Sequence, residues 1–477
     1  RYTRYYDGST QIGPTNETIY HDETGNVWVK SRAQIDTNKF AETITYFDGL
    51  GRAWKTETTD SGGNIFTEKE FDSFGRVSRV CNPYRVGEAK VWTTNVYDTS
   101  SRVVEVDFPD ASTITTAYGV STSGIVGLTK TITDQAGKKR KGYTDASGNM
   151  VRVVEDPSGT ALTTDYTFDT LGNLRKTAQG SQYRYFYHDS LGRLLYARQV
   201  EQLANPTFSG AAFTDPITGN NQWSVKYEYN DGGSIVSTTD ANNAAVSAEY
   251  DRLNRITKRT YTGTTTPNVD FYYDGKYFDA NDTAQTASGA VKGKTTGIKS
   301  TVSKTNFTAF DLFGRPTSHQ QITDGTTYTT GYAYNLSGAL IEETYPSGRV
   351  VKSTLDENGD LSQIQSKKNA ASGYWTYADA ISRDSAGNVT KMQLGNGLWE
   401  TAGYNSRTQV TMIGLGTTDA AQNLLKLDYS YATTGVHDNN GSLREQKVTV
   451  PTVGTIAGFT ATQSYTYDDL NRLVSAA

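Results

Sequence analysis

A seven-residue signature recurs from one end of this 477-residue chain to the other. It reads aromatic, Asp, any residue, apolar, Gly or Asn, Arg or Asn, aliphatic. Clear copies are Phe47-Asp48-Gly49-Leu50-Gly51-Arg52, Phe71-Asp72-Ser73-Phe74-Gly75-Arg76 and Phe168-Asp169-Thr170-Leu171-Gly172-Asn173. Others are His188-Asp189-Ser190-Leu191-Gly192-Arg193, Tyr250-Asp251-Arg252-Leu253-Asn254-Arg255, Phe310-Asp311-Leu312-Phe313-Gly314-Arg315 and Tyr467-Asp468-Asp469-Leu470-Asn471-Arg472. Looser copies lie at Asp22, Asp98, Asp145, Asn230, Asn335, Asp356, Asp384, Asn405 and Asp438. Neighbouring copies are often 24 residues apart, as from Asp48 to Asp72 and from Asp145 to Asp169. A fixed period of this size marks stacked supersecondary units. Residues 1–477 therefore read as one continuous repetitive region, a fragment of a longer protein.

Each unit contains two turns. Weaker ones fall midway between copies, at Asp60-Ser61-Gly62-Gly63, Asp156-Pro157-Ser158-Gly159 and Tyr345-Pro346-Ser347-Gly348. The intervening strands are about eight residues, or ~26 Å at the usual rise. In the signature, Asp suits the first position of a type I turn and Gly the fourth. Asn254 and Asn471 replace that Gly, and Asn tolerates positive φ better than most residues. Tyr recurs at alternate positions leading into the turns, as at Tyr183, Tyr185 and Tyr187. Period two places each set on one face, where rings from successive repeats can stack and the turn Arg can lie over a ring. The fold class is all-β, a ribbon of hairpins. Residues 200–222, 276–305, 412–425 and 450–460 break the rhythm and read as loops on one edge of the ribbon.

These units resemble the YD repeats of Rhs proteins, which also occur in the B and C components of bacterial Tc toxin complexes, in wall-associated toxins and in teneurins. The resemblance covers nearly the whole chain. It implies that the ribbon spirals into a hollow shell. In Rhs and Tc proteins that shell encloses a C-terminal toxin polypeptide; in teneurins it supports adhesion. The implied location is secreted or cell-surface. The implied partners are a polypeptide cargo, flanking or capping domains and a delivery apparatus. Bacterial members often carry a self-cleaving Asp-Pro-x-Gly-Leu segment. Here Thr160 follows Asp156-Pro157-Ser158-Gly159 where Leu belongs, and the chain stops at Ala477 just after a good repeat. The cleavage module and any toxin are expected to lie outside these residues.

Charge and composition narrow the function classes. The net charge is −5, with no basic domain to serve as a nucleic-acid footprint. No apolar run approaches the ~20 residues of a membrane span. The single Cys81 rules out a disulfide framework or a cysteine zinc cage. His21, His188 and His437 occupy the aromatic slot before a turn and read as stacking rings, while His319 carries no signal. Asp356-Glu357-Asn358-Gly359-Asp360 and Asp438-Asn439-Asn440-Gly441 lack the spacing and closing Glu of a calcium loop. Lys138-Lys139-Arg140-Lys141 reads as a solvated loop, and the six tryptophans as sheet packing. No phosphate loop, nucleophile elbow or other catalytic constellation stands out. No catalytic, cofactor-binding or metal residue is assigned. The rival to a shell is an adhesion or glycan-binding module, against which the absence of the Gly-Trp pair of cell-wall-binding repeats weighs. A β-propeller is the rival fold, and the missing 40-residue superperiod counts against it.

Overall fold

The computed structural model describes residues 13–122, 124–201 and 223–477, with short strand pieces elsewhere. It contains strands and turns and, among the described residues, no helix. The chain packs as two compact units. The first comprises Arg1–Thr116, Thr133–Lys138 and Gly331–Ala477, the second Ala117–Ile132 and Lys139–Thr330.

In each unit the strands run as an antiparallel meander. In the first, Asn16–Glu23, Asn26–Asp36, Lys39–Phe47, Ala53–Asp60 and Gly63–Phe71 pair successively. In the second, Lys139–Thr144, Met150–Glu155, Leu162–Phe168, Leu174–Gln179, Gln182–His188 and Leu194–Arg198 do the same. Because consecutive strands alternate direction, all signature turns fall on one edge of each sheet and all mid-repeat turns on the other. The register slips by one residue just before the clear signature turns, as at Tyr46/Phe47, Glu70/Phe71, Thr167/Phe168, Tyr187/His188 and Glu249/Tyr250. This is the bulge that accompanies a type I turn followed by a left-handed residue.

The buried apolar set is small. Among the described residues it includes Ile35, Val153, Val154, Tyr185, Trp223, Phe310, Ile322 and Val350, spread along the chain. Stability must therefore come mainly from strand ladders and from neighbour-to-neighbour side-chain rows, as in other repeat proteins.

Three expected loop regions are structured differently. Residues 295–299 and 303–310 are strands of the main sheet. Residues 274–294 leave from the signature edge, whereas of the other two expected loops 412–416, 425, 450 and 459–460 belong to strands and only 417–424 and 451–458 turn, at the opposite edge; the expected common edge is corrected accordingly. The excursion carries its own hairpin, Lys276–Phe278 with Ala284–Thr286. Fully buried Asn306 donates to the Phe278 carbonyl at 2.8 Å, and Lys304 Nζ to that of Asp279 at 2.6 Å. Polar residues in the sheet thus satisfy the excursion's backbone, a non-local requirement that period reading misses. Most of residues 200–222 lies outside the described residues.

Candidate functional site

The signature turn is a closed hydrogen-bonded unit. At Asp48 the backbone N–H donates to the Arg52 carbonyl (3.0 Å), and Gly51 N–H donates to the Asp48 carbonyl (2.9 Å). Asp48 Oδ1 accepts the N–H groups of Leu50 (2.9 Å) and Arg52 (3.0 Å). Oδ2 accepts Arg52 Nε at 2.8 Å. The same arrangement holds at Asp72–Arg76, Asp98–Arg102, Asp189–Arg193, Asp251–Arg255, Asp311–Arg315 and Asp468–Arg472. Where Asn stands four residues on, its Nδ2 reaches Oδ2 instead, as in Asp169–Asn173 at 3.0 Å. Arg175 then approaches Asp169 at 3.3 Å from two residues further along.

These bonds hold the turn carboxyls below their ordinary range. At Asp48, Asp98, Asp189, Asp251 and Asp468 the largest cause is the backbone N–H of the Arg four residues on. At Asp72, Asp169 and Asp311 burial is the largest influence and opposes the shift, but the hydrogen bonds overcome it. The fourth position is left-handed throughout: Gly75 has φ 81°, Gly192 77°, Gly314 72°, Asn254 60° and Asn471 59°. Thr408, a β-branched residue, holds φ 58° at the same position of the Asn405 turn.

Successive turns are tied through the arginine and the next aromatic. Arg52 lies 4.1 Å over Phe71, Arg76 4.3 Å over Tyr97, Arg193 4.9 Å over Tyr229 and Arg255 4.3 Å over Tyr273. Arg315 lies over Phe313 of its own turn, and Arg472 is exposed. Phe310 is buried beside Phe307, and Phe47 and Phe168 face Ala53 and Leu174 across their bulges.

The tyrosines add a bond that the sequence reading missed. Tyr97 donates to the Val77 carbonyl (2.8 Å), Tyr229 to Leu194 (2.8 Å), Tyr250 to Ile235 (2.6 Å) and Tyr273 to Ile256 (2.8 Å). Tyr404 reaches Val389 (3.1 Å) and Tyr467 reaches Leu443 (2.8 Å). Each acceptor is the aliphatic residue that closes the preceding signature. Strand pairing has stopped just short of it: the Leu194–Arg198 strand pairs onward only at Tyr196 and Ala197. The phenol therefore replaces a ladder bond where adjacent hairpins diverge. The available signal was 32 Tyr against 16 Phe, a bias that aromatic stacking alone does not require.

Other singled-out residues are absorbed locally. His21 stacks on Trp28 at 4.8 Å, and His319 tilts against Phe307. His188 is half-buried with no hydrogen-bond partner on Nδ1, and burial lowers its basicity. The Asp356 carboxylate accepts the N–H groups of Asn358 and Asp360, and that of Asp438 accepts Thr433. The basic run is not a solvated loop: Lys139–Thr144 is a strand, Arg140 pairs with Glu155 at 2.8 Å, and Lys141 lies over Tyr143. Two of the tryptophans are exposed, Trp54 at 37 % and Trp375 at 74 %.

The first unit also contains a seam. Mid-repeat turns of residues 37–138 meet signature turns of residues 355–471, about 300 residues later in sequence. Lys39 Nζ donates to the Leu355 carbonyl (3.3 Å), Asn82 to Ser406 (2.7 Å) and Ser385 Oγ to Pro83 (2.9 Å). Arg407 is the hub. It lies 4.3 Å over Phe108, donates to Ser112 Oγ at 3.3 Å and to the Asn439 carbonyl, and stands 3.6 Å from Asp110. Buried Asn439 donates to Asp110 (2.8 Å) and Gln409 (2.7 Å), and the His437 ring donates to the Asp110 carbonyl (3.0 Å). Burial opposes charge on Asp110 most strongly, yet Ser112, Asn439 and Arg407 hold its carboxyl below the ordinary value. Further along, Asn440 and Asn471 donate to Asp134 (both 3.1 Å), and Lys138 to the carbonyls of Tyr467 and Asp468.

An all-β ribbon of this length, closed turn by turn by Asp and Arg, defines a hairpin-repeat fold. Comparison with known proteins gives the particulars. A profile described as a domain of unknown function, DUF6443, matches residues 16–121. No curated protein sequence matches the chain. Solved structures match over most of it. The TcdB2-TccC3 crystal structure superposes at TM-score 0.75 and 14 % identity, covering 94 % of this chain and 24 % of that one. TcdB2-TccC3 without its hypervariable C-terminal region gives 0.74 at 14 % with the same coverages. The Photorhabdus luminescens Tc holotoxin pore gives 0.74 at 13 %, again over 94 % and 24 %. At such identity the likeness is one of fold, and it is the fold that the YD-repeat resemblance implied. The chain spans about a quarter of the length of these relatives in structure.

Proposed function

We propose that this chain is a non-enzymatic wall segment of an Rhs-type shell that holds a polypeptide cargo, such as a C-terminal toxin, outside the producing cell. The observation that carries this reading is the fold match to Tc toxin chains over 94 % of the sequence. The turn chemistry supports it: the polar groups of the signature are consumed in closing turns and joining hairpins, which makes a rigid wall and leaves few groups poised for catalysis. The seam supports it too, because a wall that must exclude proteases has to be closed between edges as well as within the sheet.

The test is electron microscopy of the natural full-length protein. A strand-walled cavity with density inside is the expected result. A solid rod, or a bladed ring, sinks the proposal. An adhesive reading is favoured by one feature, exposed Trp375 flanked by partly exposed Tyr374 and Tyr377. Quenching of tryptophan fluorescence by cell-wall oligosaccharides, lost in Trp375→Ala, would move the assignment there.

A further inference from the structure

The arginine of a signature turn can span the gap to the next turn, and it then makes three contacts. It donates to the carboxylate of its own turn, lies over the next aromatic ring and reaches the first residue of the next turn. Arg76 makes all three, with Asp72 Oδ2 at 2.7 Å, the Tyr97 ring at 4.3 Å and the Asp98 carbonyl at 3.4 Å. Arg193 repeats them at Asp189 (2.7 Å), Tyr229 (4.9 Å) and the Asn230 carbonyl (3.3 Å). Arg255 does so at Asp251 (2.7 Å), Tyr273 (4.3 Å) and the Asp274 carboxylate (2.9 Å).

Among the described residues, Asn replaces this Arg after three turn aspartates, at Asn149, Asn173 and Asn388. Two of these gaps are covered. Arg175 takes the one at Asn173, 3.3 Å from Asp169 and 4.9 Å over Tyr187. The Asn388 turn lies in the seam, where Ser385 Oγ donates to the Pro83 carbonyl. The gap at Asn149 has neither cover. Val151 stands where the second arginine would be, and among the described residues no cation lies over Phe168, the next aromatic. The chain leaves a cavity of about 510 Å³ there, between two adjacent turns of the second unit. Its lining contains every partner of a spanning arginine: Asp145, the Phe168 ring and Asp169 at the start of the next turn. Asn149 Nδ2 reaches Asp145 Oδ2 only at 3.2 Å, against 2.5–2.8 Å for the turn arginines. Exposed Ser147, Thr170 and Leu171 form the rim, so the cavity opens to solvent.

We infer that this cavity is a socket for an arginine side chain of a polypeptide partner. The incoming guanidinium takes the place of the missing internal one: it donates to Asp145 Oδ2 and lies on the Phe168 ring, with its methylene stem against Val151 and Leu171. The ring face attracts a cation, and the carboxylate accepts from a planar fork at short range. Lysine offers a point charge without that plane, and a neutral side chain gains neither contact. The occupant's chemistry is read from the molecule itself, since Arg76, Arg193 and Arg255 show what fills the equivalent gap. The inference does not depend on the shell reading.

Methyl NMR of the 477-residue chain tests this, with Val151 and Leu171 read during titration with N-acetylarginine N-methylamide. The expected result is saturable shifts at both residues, with a dissociation constant on the order of 1–10 mM for a single side chain. N-acetylcitrulline N-methylamide keeps the shape and loses the charge, and should bind at least ~10-fold more weakly. Asn149→Arg should fill the socket from within, raising the thermal transition and abolishing the shifts. Phe168→Leu keeps an apolar wall without a ring face, and should weaken binding about 3-fold or more. Equal responses to the arginine and citrulline compounds, or no saturation below ~50 mM, overturn the proposal. A lowered thermal transition in Asn149→Arg overturns it too, because the gap would then not accept a guanidinium.

Discussion

The two units use the same turn and differ in how far apart in sequence their contacts lie. Among the described residues of the second unit, side-chain bonds join neighbouring hairpins, reaching 37 residues from Arg193 to Asn230. In the first, the seam joins residues 295–337 apart. Closing a long loop costs entropy before any contact rewards it. The second unit can therefore form by adding hairpins one at a time, whereas the first has to bring two distant stretches together. A repeat protein is usually treated as a row of neighbours; here that holds for one unit only.

Acid should strike both units and the seam hardest. The turn aspartates have carboxyls held low in the folded state. Their contribution is present above the unfolded value, about 3.9, and is lost as pH falls through the lower folded values. Titration from pH 6 to pH 2 followed by circular dichroism should show cooperative loss of sheet below ~pH 4, by the same linkage. Hydrogen exchange should show the seam segments losing protection first, because the Asp110 carboxyl, held low, serves there as well as in its own turn.

Arg407→Ala separates the units directly. It removes the cation 3.6 Å from part-buried Asp110, which keeps Ser112 and Asn439, and opens a cavity over Phe108; the expected cost is about 1–2 kcal/mol, discounted from a fully buried pair. Protection should fall at 104–116 and 405–445 and remain unchanged at 139–330. An equal fall in both would contradict the division drawn above.

Tyr229→Phe removes one hydroxyl from a carbonyl that pairing has abandoned, and should cost about 1 kcal/mol, confined to residues near 194–229. Tyr97→Phe should cost less, since Asn95 Nδ2 also donates to the Val77 carbonyl at 3.2 Å. Denaturant midpoints of the two variants make the comparison. Thr408→Gly is the smallest change and has the opposite sign. Relieving a β-branched residue at φ 58° should stabilise by up to about 1 kcal/mol, the left-handed penalty less the entropy that Gly adds to the unfolded chain.

The hairpin ribbon was legible because its instructions are local. Asp48, Gly51 and Arg52 sit within five residues and specify the same turn wherever they recur. The seam was not, because Arg407 and Asn439 occupy ordinary turn positions and acquire their roles only from Phe108 and Asp110, some 300 residues away. Lys138 was misread for the same reason: beside Lys139 and Arg140 it looks like solvent-facing charge until Asp468 arrives against it. The tyrosine bond lay between these cases. Its residues are periodic, but the carbonyl that needs a donor exists only because the bulge ends the ladder early.

The internal pairing of Asp with the Arg four residues later has a consequence for scale. Each such turn adds one negative and one positive charge 2.5–2.8 Å apart, so it contributes a small local dipole and no net charge. Lengthening the ribbon by whole repeats leaves its total charge nearly constant: 477 residues carry only −5. A scaffold built this way can grow through duplication of its unit without accumulating self-repulsion, and its cohesion depends little on the ionic strength around it.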